Sequence, residues 1–432
     1  MTLSRRFLAA AIVASTLAAI TLMTPVADAT PSTFSCSLRR ATVPVPHNRA
    51  MADLYDVKVV SPGDAWAVGN YSRMNIGVDQ RVFPLAEHWN GRDWASVDVP
   101  RTPGAFDEPL TRLAAVSSTN IWAIGNQTRK VAIETTPGWQ KEATLLQHPG
   151  HYGTGGVIDH WNGRKWIRVV LPNLHGFTWF NGVSAPGPGD VWVVGMWRPR
   201  HVVSAHILPL FLHWDGKTWT VQRPNLFPAA LKTRLLDVQA TSPADVYVVG
   251  AQSSRSSDSS FSASLQDGGW ATSPAPSITD LSGTLGATDG EVGITEGATM
   301  YLSLGLDQLG ASGWSDVPTT PLWVHTEESA ADVYSTDVLQ LGSSSAWLVG
   351  SQNDWDHALP GDPGYAFGPV YAEHWDGTSW DEVALPTVAP SADPWLNAVS
   401  ATPDGGMVMM VGTILPPRHN KSLPLIYQGT CG

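Results

Sequence analysis

Cysteine is almost absent, with 2 in 432 residues, which excludes a small disulfide-stapled scaffold and any Cys-rich zinc or iron–sulfur site. Charge is sparse as well: Asp, Glu, Lys and Arg make up 15% of the chain, against roughly 25% in an average soluble domain. No basic block interrupts a net charge of −12, so a nucleic-acid partner is not expected. No nucleophile elbow, Walker loop, HExxH or dinucleotide fingerprint occurs. Past Met23 there is no long apolar run, hence no expected membrane span. What is plentiful is the material of short strands and turns, with 40 Gly, 33 Pro and 20 Trp. A chain that is 43% apolar and rich in Trp is not of the disordered class.

Residues 1–29 read as an export signal. Arg5 and Arg6 precede an apolar run from Phe7 to Met23, and Ala27-Asp28-Ala29 supplies small residues before a cut at Thr30. Ser4-Arg5-Arg6-Phe7-Leu8 also resembles a twin-arginine signal, so both export routes stay open. The expected mature chain, 30–432, is a single secreted, monomeric domain. In an oxidising compartment Cys36 and Cys431, at its two ends, can bridge only if the fold brings the termini together.

One phrase recurs through the chain. It appears as Asp64-Ala65-Trp66-Ala67-Val68-Gly69 followed by His88-Trp89-Asn90-Gly91-Arg92-Asp93-Trp94, and again around Trp122 with His160-Trp161. Further copies surround Trp192 with His213-Trp214, Tyr247 with Trp270, and Trp347 with His374-Trp375. A less regular copy runs from Val408 to Gly412. Marker glycines fall at 69, 125, 195, 250, 350 and 412, and the long gap before Gly350 leaves room for an eroded copy at Glu291–Ile294 and Gly313-Trp314. A period near 50–60 residues is the signature of propellers and solenoids. Each copy parses into four short strands, with a turn at Pro62-Gly63, an alternating Trp66/Val68 strand and an Asn-Gly or Asp-Gly hairpin. The expectation is therefore an all-β, seven-bladed β-propeller of four-stranded antiparallel blades.

The last copy lacks a fourth strand, and Leu38–Pro44 resembles the missing piece. The N-terminal segment is thus expected to supply the outer strand of the last blade and close the ring, placing Cys36 across a hairpin position from Cys431. The His-Trp-Asp-Gly-x-x-Trp phrase resembles repeats of secreted actinobacterial propellers and, more loosely, kelch/galactose-oxidase-like and Asp-box propellers. That resemblance implies architecture; the copper site and Cys–Tyr link of galactose oxidase find no match, and a fold alone carries no function.

The repeated His88, His160, His213 and His374, with Asp64, Asp190 and Asp245, have a structural explanation as hydrogen bonds fixing strand register. Residues outside the repeat gather in the longer second-to-third loops and blade-to-blade links, all expected on one face. Three readings of that face compete. The first is a surface binding a polysaccharide or peptide, with ligand-binding candidates Trp139, Trp179, Trp197, Trp355, Trp395, Arg112 and Arg234. The second is a divalent metal or acid–base site of a lyase or hydrolase, with His148, His151, His201 and His206 as catalytic or ligating candidates. The third is side chains folded under long loops, and a scaffold for another secreted protein is a further functional alternative. Asp53, Arg112, Trp179, Arg234, Tyr334 and Trp395 are expected to ring the mouth of the central channel. Nearby, Asp56, Asp237 and Asp337 recur and form either a cation-binding ring or a set of backbone acceptors.

Overall fold

The computed structural model describes residues 34–45, 50–73, 81–129, 155–199, 207–224, 226–227, 231–253, 258–266, 268–274, 284–288, 291–295, 306–310, 313–317, 331–342, 345–354, 367–389, 392–416 and 421–432. Met1–Thr33 lies outside the described residues.

All described elements in Phe34–Gly432 are strands. The chain enters through β1 (Cys36–Arg40), then forms β2 (Ala50–Ser61), β3 (Asp64–Arg73), β4 (Val82–Trp89) and β5 (Trp94–Ser96). A short β6 (Ala105–Asp107) precedes β7 (Leu110–Ser117), β8 (Asn120–Arg129), β9 (Gly155–Trp161) and β10 (Trp166–Arg168). Next come β11 (Gly176–Gly187), β12 (Asp190–Pro199), β13 (Leu208–Trp214) and β14 (Trp219–Gln222). They are followed by β15 (Lys232–Ser242), β16 (Asp245–Ser253), β17 (Asp258–Gln266) and β18 (Gly269–Pro274). The eroded copy gives β19 (Thr284–Thr288), β20 (Glu291–Thr295), β21 (Leu306–Gly310) and β22 (Gly313–Val317). Then come β23 (Ala331–Gly342), β24 (Ser345–Asp354), β25 (Phe367–Trp375) and β26 (Trp380–Glu382), and last β27 (Asp393–Ala401), β28 (Met407–Leu415) and β29 (Leu423–Cys431).

The fold is an all-β propeller of four-stranded antiparallel blades. Inner strands pack side by side in a closed cycle, β2 on β7, β7 on β11, β11 on β15, β15 on β19, β19 on β23, β23 on β27 and β27 back on β2. In one respect the expected seven separate sheets are corrected. Five sheets have four strands, whereas β2–β10 make one nine-stranded sheet. The cause is β6, in the link between two units: Ala105 pairs with Arg129 and Asp107 with Thr128 on β8, while Asp107 pairs in parallel with Val82 on β4. The Asp107 carboxylate also accepts from the Val82 N–H at 3.2 Å.

Local chemistry explains the repeat. At each hairpin the Gly takes a left-handed conformation, φ +89° at Gly91 and Gly216 and +85° at Gly163. The preceding Asx carboxyl or amide oxygen accepts from the backbone beyond: Asn90 Oδ1 from Arg92 and Asp93 at 3.0 Å each, Asp215 Oδ1 from Lys217 and Thr218 at 2.8 and 2.7 Å. The hairpin Trp pairs are then received by the neighbouring unit, as where Trp66 packs on Trp161 and Trp166 with centroids 4.7 and 5.2 Å apart. The repeated histidines tie β-strand ends, His88 to Asp64 at 2.8 Å and His213 to Asp190 at 2.7 Å. Where Asp is replaced, His160 meets Asn120 at 2.9 Å and His374 meets Ser345 at 3.1 Å.

Ring closure follows the expected course. β1 pairs with β29 from Cys36↔Cys431 to Arg40↔Tyr427, and the two cysteines are disulfide-bonded with Cα atoms 4.1 Å apart. Ser35 and Gly432 exchange backbone hydrogen bonds just outside the bridge, so the cysteines occupy a non-hydrogen-bonded pair, the closer kind. Phe34 stacks on His374 and meets Trp347 edge-on, filling the place taken elsewhere by a hairpin Trp pair.

The marker glycine answers a close approach of backbone. A Cβ on Gly195 would lie 1.9 Å from the Trp179 carbonyl oxygen, and one on Gly125 2.0 Å from that of Pro109. Both contacts are with backbone, which cannot rotate away. Gly195→Ala is therefore expected to destabilise by about 2–3 kcal/mol, the cost of overpacking a filled site. Denaturant unfolding checks this; wild-type stability of the variant would show that β11 can move.

Candidate functional site

Every described inner strand except β19 carries a β-bulge at one register position. The shifts fall at Leu54/Asp56, Leu110/Arg112, Phe180/Gly182, Leu235/Asp237, Ser335/Asp337 and Leu396/Ala398. A bulge leaves a backbone N–H without its ladder partner. The side chain at the bulge supplies one. Asp56 accepts from its own Val57 N–H at 2.7 Å through Oδ1 and from Leu113 N–H of the next unit at 2.7 Å through Oδ2. Asp337 Oδ2 accepts from Val399 N–H at 2.9 Å, again across units, and Asp237 Oδ1 from Val238 N–H at 2.9 Å. Of the two sequence-based readings of these carboxylates, this is the backbone-acceptor one.

These groups line a central cavity of about 310 Å³ with Lys58, Arg112 and Asn397. Lys58 Nζ donates to Asp56 at 3.3 Å. Burial acts to lower the pKa of this ammonium, but Asp56, Asp337 and Asp237 outweigh it and raise the pKa. Burial lifts the Asp337 carboxyl to about 7 in spite of Lys58. The channel is thus a set of carboxylates already engaged by N–H groups and one ammonium. Among the described residues no three His, Cys, Asp or Glu side chains are disposed to hold a metal ion.

Arg112 was expected at the channel mouth and is not there. It pairs with Ile124, the position that Asp56 occupies opposite Val68, so it belongs to the bulge layer. The mouth position of this unit is Pro109, three residues earlier, whose carbonyl approaches Gly125 as that of Asp53 approaches Gly69. The mouth position opposite the residue after each marker glycine holds Asp53, Trp179, Arg234, Tyr334 and Trp395. These three candidates, Trp179, Arg234 and Trp395, are brought to the same end of their strands, and all are half-buried. Trp197 stands further out, opposite Thr178 on β11. It borders a second cavity of about 170 Å³ between β12–β14 and the start of β15, and the Arg223 guanidinium lies 4.7 Å over its ring. Trp139, Trp355, His148, His151, His201 and His206 lie outside the described residues.

A further polar site had no sequence signal. Arg168, on β10, binds buried Asp159 with both Nε and Nη2, at 2.8 and 3.2 Å, and buried Glu108 with Nη1 at 2.8 Å. Its Nη2 also donates to the Pro100 carbonyl at 3.0 Å. This network anchors the β5-to-β7 link against β9 and β10. Burial raises the Asp159 pKa, with Arg168 opposing it. Asp159 holds the repeat position of Glu87 and Glu373, but among the described residues only this unit sets an Arg opposite it on the outer strand.

No family model matches the chain, and no curated protein matches it, so the kelch and actinobacterial resemblance has no sequence-level support. Solved structures similar to it are β-propeller proteins. YCF48 from Cyanidioschyzon merolae is 13% identical with a TM-score of 0.47, over 91% of this chain and 98% of that one. The N10 neuraminidase-like protein of A/little yellow-shouldered bat/Guatemala/060/2010 is 10% identical with a TM-score of 0.39, over 74% and 93%. The xylan beta-1,4-xylosidase from Bacillus Halodurans C-125 is 9% identical with a TM-score of 0.31, over 90% and 96%.

Proposed function

We propose that the chain is a secreted binding module: a single ring of seven four-stranded units, two of them stapled by β6, that takes a polysaccharide or peptide on its loop-rich face. One observation carries the reading. Trp179 and Trp395, half-buried residues that no repeat requires, occupy one register position on different units, at the strand ends that meet the longer connections. Indole faces at one end of a rigid scaffold suit stacking on sugar rings or peptide side chains. The Cys36–Cys431 bridge supports an oxidising compartment.

The test is binding of the purified mature chain to glycan and peptide arrays, with Trp179→Ala/Trp395→Ala beside it. The double variant is expected to lose about tenfold or more in affinity, the scale of two stacking contacts, while remaining folded. Absence of any glycan or peptide ligand, or a variant that binds like the parent, overturns the reading.

A further inference from the structure

The cavity beside Trp197 combines features that the rest of the face does not. Its walls are apolar and aromatic, from Leu210, Phe211, Phe227 and Trp197, with Thr233 at one side. At its rim stands Arg223, exposed, with its guanidinium carbon over the Trp197 ring, 4.7 Å from the ring centre. Among the described residues Arg223 has no ion pair. A stacked guanidinium keeps its plane fixed while its N–H edge stays open, which removes most of the entropy cost of a planar, two-pronged contact. Such an edge matches a carboxylate. In a chain of net charge −12, a cation with no ion pair among the described residues, set over an apolar cavity, is not accounted for by fold stability, since truncating an exposed side chain costs little.

We propose that this cavity is a subsite for a uronic acid residue of an acidic polysaccharide. The less polar face of the sugar ring packs against Trp197 and Phe227, and the carboxylate accepts two N–H bonds from Arg223. An acidic peptide would meet the same guanidinium, but a Glu or Asp side chain has no ring to fill the apolar wall, so the saccharide is favoured. This rests on the loop-face binding reading and names its ligand class.

The experiment measures binding of the mature chain to polygalacturonate, to the same polymer fully methyl-esterified, and to poly-glutamate, with Arg223→Ala, Arg223→Lys and Trp197→Phe alongside. Polygalacturonate is expected to bind the parent, and Arg223→Ala to weaken it by about tenfold or more, the loss of one charge-assisted pair. Arg223→Lys, which keeps the charge without the flat fork, should recover only part of this. The ester should bind weakly to the parent and be indifferent to Arg223→Ala. Arg223 is exposed, so unfolding midpoints should agree and misfolding will not imitate the result. Equal binding of acid and ester, unaffected at Arg223, overturns the uronate subsite and leaves the broader reading standing. Poly-glutamate binding that depends on Arg223 as strongly as polygalacturonate binding overturns the saccharide assignment. A parent that binds other glycans but not polygalacturonate also refutes the subsite, whereas no ligand on any array refutes both.

Discussion

Cys36→Ser/Cys431→Ser is expected to lower the unfolding midpoint by roughly 6 °C relative to the oxidised parent. The bridge spans a sequence separation of 395. Loop-closure entropy rises with the logarithm of loop length, so removing the bridge costs on the order of 5 kcal/mol, mainly by freeing the unfolded chain. The unfolding entropy of a chain near 400 residues is roughly 0.8 kcal/mol per kelvin, which converts that cost into the stated shift. The folded state should survive, because β1 keeps its five register pairs with β29 and Ser35 its exchange with Gly432. Trp94 Nε1 also still donates to Gln428 on β29 at 2.7 Å across the seam. Thermal scans of parent, reduced parent and double variant decide the matter. Coincident midpoints would mean that the ladder alone holds the ring.

That seam was legible in the sequence because two oddities, a copy short of one strand and a cysteine at each end, had a common solution. The strands, hairpins and His–Asp ties were legible for a related reason: their side chains repeat with the period of the fold. Even the eroded unit β19–β22 lies at the positions where the gap between marker glycines required it. What lacked a period was harder to see. β6 is only three residues of a link, and nothing in Ala105-Phe106-Asp107 announces a strand until Asp107 is placed beside Val82. Arg112 was set at the mouth because this unit has no Asp at its bulge, so nothing in the sequence told the mouth residue, Pro109, from Arg112 three places on. The Arg223–Trp197 stack joins a strand to a link 26 positions away in sequence, a proximity only the fold creates.

The channel carboxylates illustrate how the same repeat can mislead about function. Asp56, Asp237 and Asp337 recur like ligands, but each accepts a backbone N–H released by the bulge. Recurrence there follows from a recurring backbone defect. The side chains with functional promise, Trp179, Trp395, Trp197 and Arg223, occur where the repeat makes no demand.

Glu87→Gln is expected to leave stability unchanged near pH 4.5 and to raise it increasingly as pH climbs toward 8. Glu87 sits fully buried on β4. Ser96 Oγ donates to its Oε1 at 2.5 Å, while Oε2 has no hydrogen-bond partner among the described residues. Burial lifts its pKa from 4.5 to about 8, Ser96 opposing this only in part. The sign follows from proton counting. Below pH 4.5 both the folded and the unfolded chain hold the proton, and the carboxyl carries no penalty. Between 4.5 and about 8 the unfolded chain releases it while the folded chain keeps it, so folding stability declines as pH rises, and levels off above that window. A glutamine cannot titrate, keeps an acceptor for Ser96 and has the same shape, so its profile should lack this slope. The gap between the two proteins at pH 8.5 has an upper bound of about 5 kcal/mol, from the width of the window at roughly 1.4 kcal/mol per unit. Glu373, buried on β25 and lifted by burial to about 7, should give a smaller difference of the same sign as Glu373→Gln. Asp337 is a poorer probe, since its oxygen also accepts from Val399 and it faces Lys58. Urea midpoints from pH 4.5 to 9 are the measurement. Parallel profiles for parent and Glu87→Gln would show that Glu87 is ionised in the folded protein at neutral pH, and that its second oxygen is satisfied.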